Sequence, residues 1–203
     1  MTYAENALTT VERAIQFFGL LDDTVQDYTH LHTNIIMAIN KASAAIEAYC
    51  GRSFRKALYT QAIRVATDEI ITEQYPLYAV YEDAEKTTPL PNIYFIDSAP
   101  GIVDLEADYK GIIHYEAGYI LPKDATEEQP ATLPVDLEEC CLQLAEKLYI
   151  DDDGYLGNVE NIKLGDWSTK LGGVDAATNA TLFIPASIQS SLNLHKRAMF
   201  YDE

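Results

Sequence analysis

The sequence predicts an α+β fold: a small bundle of about four helices with an inserted, mainly antiparallel β region and an extended arm. Near both ends of the chain, apolar residues recur every three or four positions, which is typical of helices that pack one face on a core. Residues 58–120 instead form short runs rich in Tyr, Ile, Val and Thr, broken by Pro and Gly. We therefore assign 1–57 and 133–203 to a helical core, with an arm around 151–180, and 58–120 to the inserted β region.

Two helices are predicted before the β region. Thr9 and Glu12 form a capping-box pattern for the first helix, and Gly19 ends it. The second helix is the longest; it follows the N-cap candidates Asp22 and Asp23 and stops at Gly51. Its packed face is predicted to contain Tyr28, Leu31, Ile35, Ile39, Ala42, Ile46 and Tyr49.

Two more helices are predicted after the β region. Pro134 opens the third helix, because proline fits the first helical turn. Its apolar side contains Leu137, Cys140, Cys141, Leu144, Ala145 and Leu148. Its other side, expected to face solvent or a partner, contains Asp136, Glu138, Glu139, Gln143 and Glu146. The last helix is predicted from Pro185 to Phe200, with the basic pair Lys196 and Arg197 near its C-terminus, where cations complement the helix dipole.

The charge of the chain argues against one class of partner. Thirty-two acidic residues against fourteen basic ones give a net charge of -18, and residues 124–153 hold ten acids and one base. Tight, sequence-independent binding of nucleic acid requires clustered Lys and Arg to replace the counterions on phosphates. We therefore expect no tight binding to DNA; an acidic surface would repel DNA that passes close to it.

The sequence offers no support for a membrane location or for disulfides. No stretch approaches the roughly 18 apolar residues of a membrane span, and the first residues lack the pattern of a signal peptide. We therefore expect a protein that is made and stays on the cytosolic side, with no membrane partner. Cys50, Cys140 and Cys141 are predicted to be reduced, buried thiols, because three cysteines cannot all pair.

The sequence contains no motif that predicts catalysis. The sequence contains neither a glycine-rich phosphate loop nor a G-x-S-x-G nucleophile elbow. The acidic run that begins at Asp151 places Gly154 too early for a calcium loop. His30 and His32 are two residues apart on a predicted helix and so point in different directions. We predict no catalytic residues, no cofactor and no metal site, and thus a protein that is not an enzyme.

A family resemblance comes from several short motifs in a fixed order. The segment YCGRSF at 49–54 closes a long helix and is similar to the Y-x-G-R-x-F helix end of the phage head-tail connector family. The segment YEAGY at 115–119, followed by P-x-D-L at 134–137, is similar to the next elements of that family. Gly165-Asp166-Trp167-Ser168 and the Ile184-Pro185 start of the last helix follow in the family's order. Together these motifs cover most of the chain, although the β insertion and the loop at 121–132 are longer than is usual in the family.

The resemblance implies a structural role in a virion. Members of the connector family form a closed ring, expected here to be dodecameric. The ring lies between the portal of the capsid and the next connector (stopper) or tail protein, and double-stranded DNA passes through it. Such a subunit would be assembled in the host cytoplasm and would end at the head-tail interface. The last helix would dock on the portal through Ile188, Leu192, Lys196, Arg197 and Met199. Ring or neighbour contacts would involve Arg52, Phe54 and Trp167.

Two other hypotheses remain open at the level of sequence. The charge of -18 would also suit an acidic DNA mimic or other inhibitor that covers the basic DNA-binding surface of a partner. Such a protein would be a monomer or dimer whose binding weakens with salt. The remaining hypothesis is an enzyme whose site is assembled from distant residues that no motif identifies.

Overall fold

The structure, a computed structural model, describes residues 2–20, 28–149, 161–164, 167–170 and 184–197. The helices are α1 (Val11–Phe18), α2 (Tyr28–Cys50), α3 (Val135–Leu148) and α4 (Ala186–Leu192). The strands are β1 (Ala57–Ile71), β2 (Leu77–Tyr81), β3 (Ile93–Asp97), β4 (Ile102–Ala117), β5 (Asn161–Leu164) and β6 (Trp167–Lys170). The α+β prediction is confirmed, and in the described part of the chain no helix is long and apolar enough to cross a membrane.

The helical core is built from both ends of the chain. α2 contacts α1, α3 and α4, and the apolar sides of these helices form one buried cluster. The predicted faces of α2 and α3 are confirmed at Ile35, Ile39, Ala42, Ile46, Leu137, Cys140, Cys141, Leu144 and Ala145, which are all buried. Gly19 and Gly51 follow α1 and α2 in the left-handed conformation (φ 69° and 67°), as expected for residues that end helices.

The start of α1 differs from the prediction by one residue. Thr10 is the N-cap, and its side chain accepts a hydrogen bond from the backbone N–H of Arg13 (3.4 Å). Thr9 is instead buried, and its hydroxyl donates to Glu138 Oε1 (2.9 Å). The prediction that Glu138 lies on the exposed side of α3 was wrong, because Glu138 is the partner of Thr9 in this contact. Its carboxylate is buried between Thr9 and Arg13, with which it forms an ion pair.

The last helix is shorter than predicted. α4 ends at Leu192, a 3₁₀ turn follows at Asn193–His195, and Lys196 is extended. Two contacts hold this segment: Tyr75 Oη, in the β1–β2 connection, donates to the Lys196 carbonyl (2.8 Å), and the Arg197 N–H donates to the carbonyl of Cys50 at the end of α2 (2.8 Å).

The predicted β region forms one antiparallel sheet, which we call the β unit (β1 to β4). β4 is its central strand: β1 pairs along one side of β4, while β2 and β3 pair with the two ends of β4 on the other side. The β1–β4 ribbon is bent where its register shifts, between Ile63 and Glu69. Gln61 shows the bend directly, because its amide donates to the carbonyl of Ile71 (2.9 Å), ten residues away. Ten residues of straight strand would span about 33 Å.

The bend encloses a second apolar core. The buried side chains of this cluster come from both halves of the ribbon and from β2, and they include Ile70, Val80, Val103, Ile113 and Tyr115. It is a separate cluster from the helical core. The predicted arm at 151–180 lies mostly outside the described residues; within it, β5 and β6 form a two-stranded antiparallel hairpin.

Candidate functional site

The chain enters and leaves the β unit at one place, which we call the neck (residues 51–56 and 117–120). The Tyr119 N–H donates to the Phe54 carbonyl and the Lys56 N–H donates to the Tyr119 carbonyl, both at 2.7 Å. Gly118 lies against this pairing with φ 99°, and a Cβ at its position would be 2.3 Å from the carbonyl oxygen of Arg55. Only glycine fits there, so the glycine of the YEAGY motif is required by the close approach of the two segments.

A carboxylate on α2 organises the segment that enters the β unit. Glu47 Oε1 accepts hydrogen bonds from the Ser53 hydroxyl and the Phe54 N–H (both 2.9 Å), and Glu47 Oε2 accepts one from the Asn6 amide (2.7 Å). The Ser53 N–H donates to Gln74 Oε1 in the β1–β2 connection (2.8 Å). These hydrogen bonds attach the end of α2 to the N-terminal segment and to the β unit.

Arg52 occupies the centre of the neck. Only 4% of it is exposed, and its guanidinium lies 3.2 Å from the centroid of the Tyr75 ring and 5.0 Å from that of Phe54. Nη2 donates to the Tyr75 carbonyl, while Nε and Nη1 have no hydrogen-bond partner among the described residues. Stacking on two aromatic rings is a favourable environment for a guanidinium, because the ring faces carry partial negative charge. Arg52 therefore links the end of α2 to the loop before β2.

The predicted ring-contact residues do not form an exposed surface. Arg52 and Phe54 are both buried in the neck, so in this fold their side chains stabilise the chain itself. Trp167 is the first residue of β6, and its side chain lies outside what the structure describes. The three residues are not brought together as one described surface.

The predicted portal-docking residues divide into two groups. Ile188 and Leu192 are 1% and 0% exposed and belong to the helical core, which corrects the prediction that they form a docking surface. Lys196 and Arg197 lie on the surface. Met199 lies outside the described residues.

The exposed part of the C-terminal segment contacts α2, α3 and the β1–β2 connection through polar and charged side chains. Lys196 Nζ lies 3.9 Å from the centroid of the Tyr49 ring, and Arg197 Nη2 forms an ion pair with Glu73 (2.9 Å). His195 Nε2 is 2.6 Å from Asp136 Oδ2 at the start of α3. Leu194, between these polar residues, is 81% exposed. The segment thus presents one aliphatic side chain and two basic side chains, Lys196 and Arg197, to solvent.

The cysteines are buried thiols, as predicted. Burial raises the pKa of the Cys50 thiol to about 11 and that of Cys141 to about 12, and it also raises the pKa of Cys140. Because the thiolate is the nucleophilic form, these groups are poor nucleophiles at neutral pH. They act as small apolar side chains of the helical core.

The residues considered as metal ligands in the sequence were the histidines and the acidic run at 151–154. Within the described ranges, no three His, Cys, Asp or Glu side chains are grouped as metal ligands would be. His114 Nδ1 lies 3.0 Å from the Thr60 hydroxyl, and His195 is bonded to Asp136. The acidic run lies outside the described residues.

Sequence reasoning missed the β1–β2 connection as part of this site. Glu73, Gln74 and Tyr75 all contact the neck or the C-terminal segment. The one local signal was Tyr75-Pro76, which marks a break between strands and says nothing about what the loop touches.

Comparison with protein-family models finds no match to the chain, and comparison with curated proteins finds none either.

Proposed function

We propose that the protein is a head-tail connector subunit of a tailed bacteriophage. It forms a ring under the portal, joins the DNA-filled capsid to the next connector or tail protein, and lets double-stranded DNA pass. In this role the protein catalyses no reaction, and its final location is the virion.

One observation carries the proposal. The two motifs that most resemble the connector family, at 49–54 and 115–119, are separated in sequence by the β unit but lie side by side in the neck. Their glycines and Arg52 have specific roles there: Gly51 ends α2, Gly118 permits the close approach, and Arg52 links α2 to the β unit. Motifs that are shared for a structural reason are expected to meet in this way, whereas chance matches would be scattered.

The charge of the chain supports the same role. A net charge of -18 would repel DNA at short range, so DNA could move through a ring of such subunits without adhering. Repulsion weakens beyond about 10 Å at ordinary ionic strength, so it would act only on DNA within the channel.

Within this proposal, the C-terminal segment contacts the portal through its exposed residues. Leu194, Lys196 and Arg197 are exposed and available for docking. Ile188 and Leu192 anchor the segment in the helical core. The variant Leu194→Asp with Lys196→Glu should weaken portal binding about tenfold or more, because it reverses a charge and places a carboxylate where an apolar contact forms. Lys41→Glu, an exposed lysine on α2, is the matched control.

The experiment that tests the proposal is a measurement of mass and shape. The full chain is purified and studied alone and with the portal protein encoded by the same genome, using analytical ultracentrifugation and negative-stain electron microscopy. Rings in either sample would support the connector role. A monomer or dimer that ignores the portal would overturn it and favour the acidic inhibitor, for which salt-sensitive binding to a basic DNA-binding protein is the matching assay.

A further inference from the structure

The β1–β4 ribbon carries two positive charges that form no ion pair within the described chain. Ile63 on β1 pairs with Gly111 on β4. Arg64 follows Ile63 and Lys110 precedes Gly111, so both lie next to this pair, where the register shift begins. Both are exposed, and neither takes part in an ion pair of the described chain. Like charges side by side on adjacent strands are destabilising. In a chain with 32 acids and 14 bases, this placement favours an acidic partner.

Exposed aliphatic side chains accompany these charges. Ile112 is 55% exposed and pairs across the ribbon with the small residue Ala62, and Val65 at the bend is 77% exposed. We call the set Ala62, Arg64, Lys110 and Ile112 the ribbon face. Apolar side chains with cations beside them are a composition common at protein interfaces.

The helical core exposes a surface of opposite charge. Val135, Glu139, Gln143 and Glu146 follow one another on α3 at steps of four, four and three, so they form one stripe, which we call the acidic face. Val135 is 78% exposed and supplies an aliphatic contact at one end. Lys147 is the one basic residue of α3, and Glu127 and Glu128 add negative charge in the loop before the helix.

We propose that the ribbon face of one copy docks on the acidic face of the next copy in the ring. The two faces match in charge, and each has an exposed aliphatic residue for the other. Because they belong to different parts of one chain and both are exposed, they do not satisfy each other within a subunit. A contact between two different faces repeats head to tail and closes into a ring when the rotation allows. This inference rests on the proposed function.

A second copy fits the ribbon face better than DNA does. Two cations would release few counterions from a duplex, and the chain as a whole repels phosphate. Asp68 and Asp108 of the same ribbon are also exposed, so the ribbon lacks the cluster of Lys and Arg that tight binding to phosphates needs. The proposal therefore predicts that the ribbon face does not contact DNA. The test below would detect such a contact, which would contradict the proposal.

Charge reversal on each face tests the contact. Arg64→Glu with Lys110→Glu reverses the ribbon face, and Glu139→Lys with Glu146→Lys reverses the acidic face. Each variant alone should require a subunit concentration about tenfold or more higher to assemble, because each now places like charges in contact. Lys41→Glu is the matched control and should assemble as the unchanged chain does. Thermal unfolding followed by circular dichroism checks that all variants fold.

Mixing the two variants gives the decisive result. One variant then has an acidic ribbon face and an acidic α3, while the other has both faces basic, so every contact between unlike subunits is complementary. Equal mixtures should recover assembly in which the two variants alternate, seen as mixed masses by native mass spectrometry. Recovery requires that the ribbon face of one copy meets the acidic face of another.

The outcomes separate this contact from the proposed function. If the ribbon variant forms normal rings, or the mixture fails to recover them, the contact assignment is wrong while the connector role still stands. If the ribbon variant forms normal rings but loses binding to a DNA duplex, the ribbon face contacts DNA and the proposal is overturned. If the unchanged chain forms no rings with or without the portal, the proposed function itself fails.

Discussion

The helical core and the β unit bury their apolar residues in different ways. The helical core collects residues from Ala7 to Leu192, so distant segments must meet before it forms. The β unit collects its buried residues from Ile70 to Ala117, within one continuous part of the chain. Closing a longer loop costs more conformational entropy, although the cost rises slowly with length. Because the β unit has its own core and the entropy cost rises slowly with length, such an insertion can vary in size while the surrounding helices stay the same.

The neck differs from both cores in the contacts it uses. Each core is apolar, whereas the neck joins the two parts through backbone hydrogen bonds, the Glu47 carboxylate and the stacked guanidinium of Arg52. Apolar contacts are not directional, but hydrogen bonds and stacked rings are. The difference indicates that burial stabilises each part and that polar contacts set the orientation of one part on the other.

The largest effect is expected from Gly118→Ala in the neck. The new Cβ would lie 2.3 Å from the Arg55 carbonyl oxygen in a backbone conformation (φ 99°) that disfavours side chains. We expect a loss of about 4 kcal/mol or more in the free energy of unfolding, measured by urea denaturation. Gly19→Ala is the matched control: its φ is also positive, but nothing lies within 4 Å, so about 1 kcal/mol should be lost. Equal losses would show that the neck is not tightly packed.

Truncation of one buried isoleucine in each core tests whether the cores are separate. Ile39→Ala in α2 and Ile113→Ala in β4 both remove fully buried methyl groups, and each should cost about 3 kcal/mol. Because the buried clusters are distinct, amide hydrogen exchange should increase most in the part that holds the substitution. Equal increases in both parts after either substitution would contradict the separation and indicate one cooperative unit.

A smaller effect is expected from Arg52→Met. Methionine keeps most of the volume and loses the hydrogen bond to Tyr75 and the stacking. It also removes two buried donor nitrogens that lack partners among the described residues. We expect a net loss of about 1 kcal/mol in the free energy of unfolding. Arg64→Met, at an exposed position without an ion pair in the described chain, should change it by less than about 0.5 kcal/mol. If Arg52→Met left the free energy of unfolding unchanged, the guanidinium would not be what holds the neck together.

The smallest effect concerns a loop of the β unit and depends on pH. Hydrogen bonds from Thr87 and Thr88 lower the pKa of Asp83 from 3.8 to about 2. Because the folded pKa is the lower one, Asp83 stabilises the fold above about pH 4, and this contribution is lost as the pH falls toward 2. Asp83→Asn should therefore be less stable than the unchanged chain at pH 7 and equal to it near pH 2, as measured by urea denaturation across this range. A difference that persists unchanged to pH 2 would contradict the assignment.

The sequence by itself determined the local structure of this protein. Apolar residues at steps of three and four identify the buried faces of α2 and α3, and glycines at 19 and 51 mark where α1 and α2 end. The change to Tyr, Ile, Val and Thr runs identifies the antiparallel β unit. These features are readable because helix and strand periods, and the left-handed conformation of glycine, depend on neighbours a few residues apart.

The tertiary structure alone decided which of the marked residues are accessible. Glu138 belongs to a polar stripe in sequence but is buried by Arg13 and Thr9, and Arg52 lies under Tyr75 instead of facing a neighbour. The end of α4 was likewise set by Tyr75 and Cys50, from other elements. Contacts of this kind join segments far apart in the chain, and no local pattern of residue types records which distant segment will cover a given side chain.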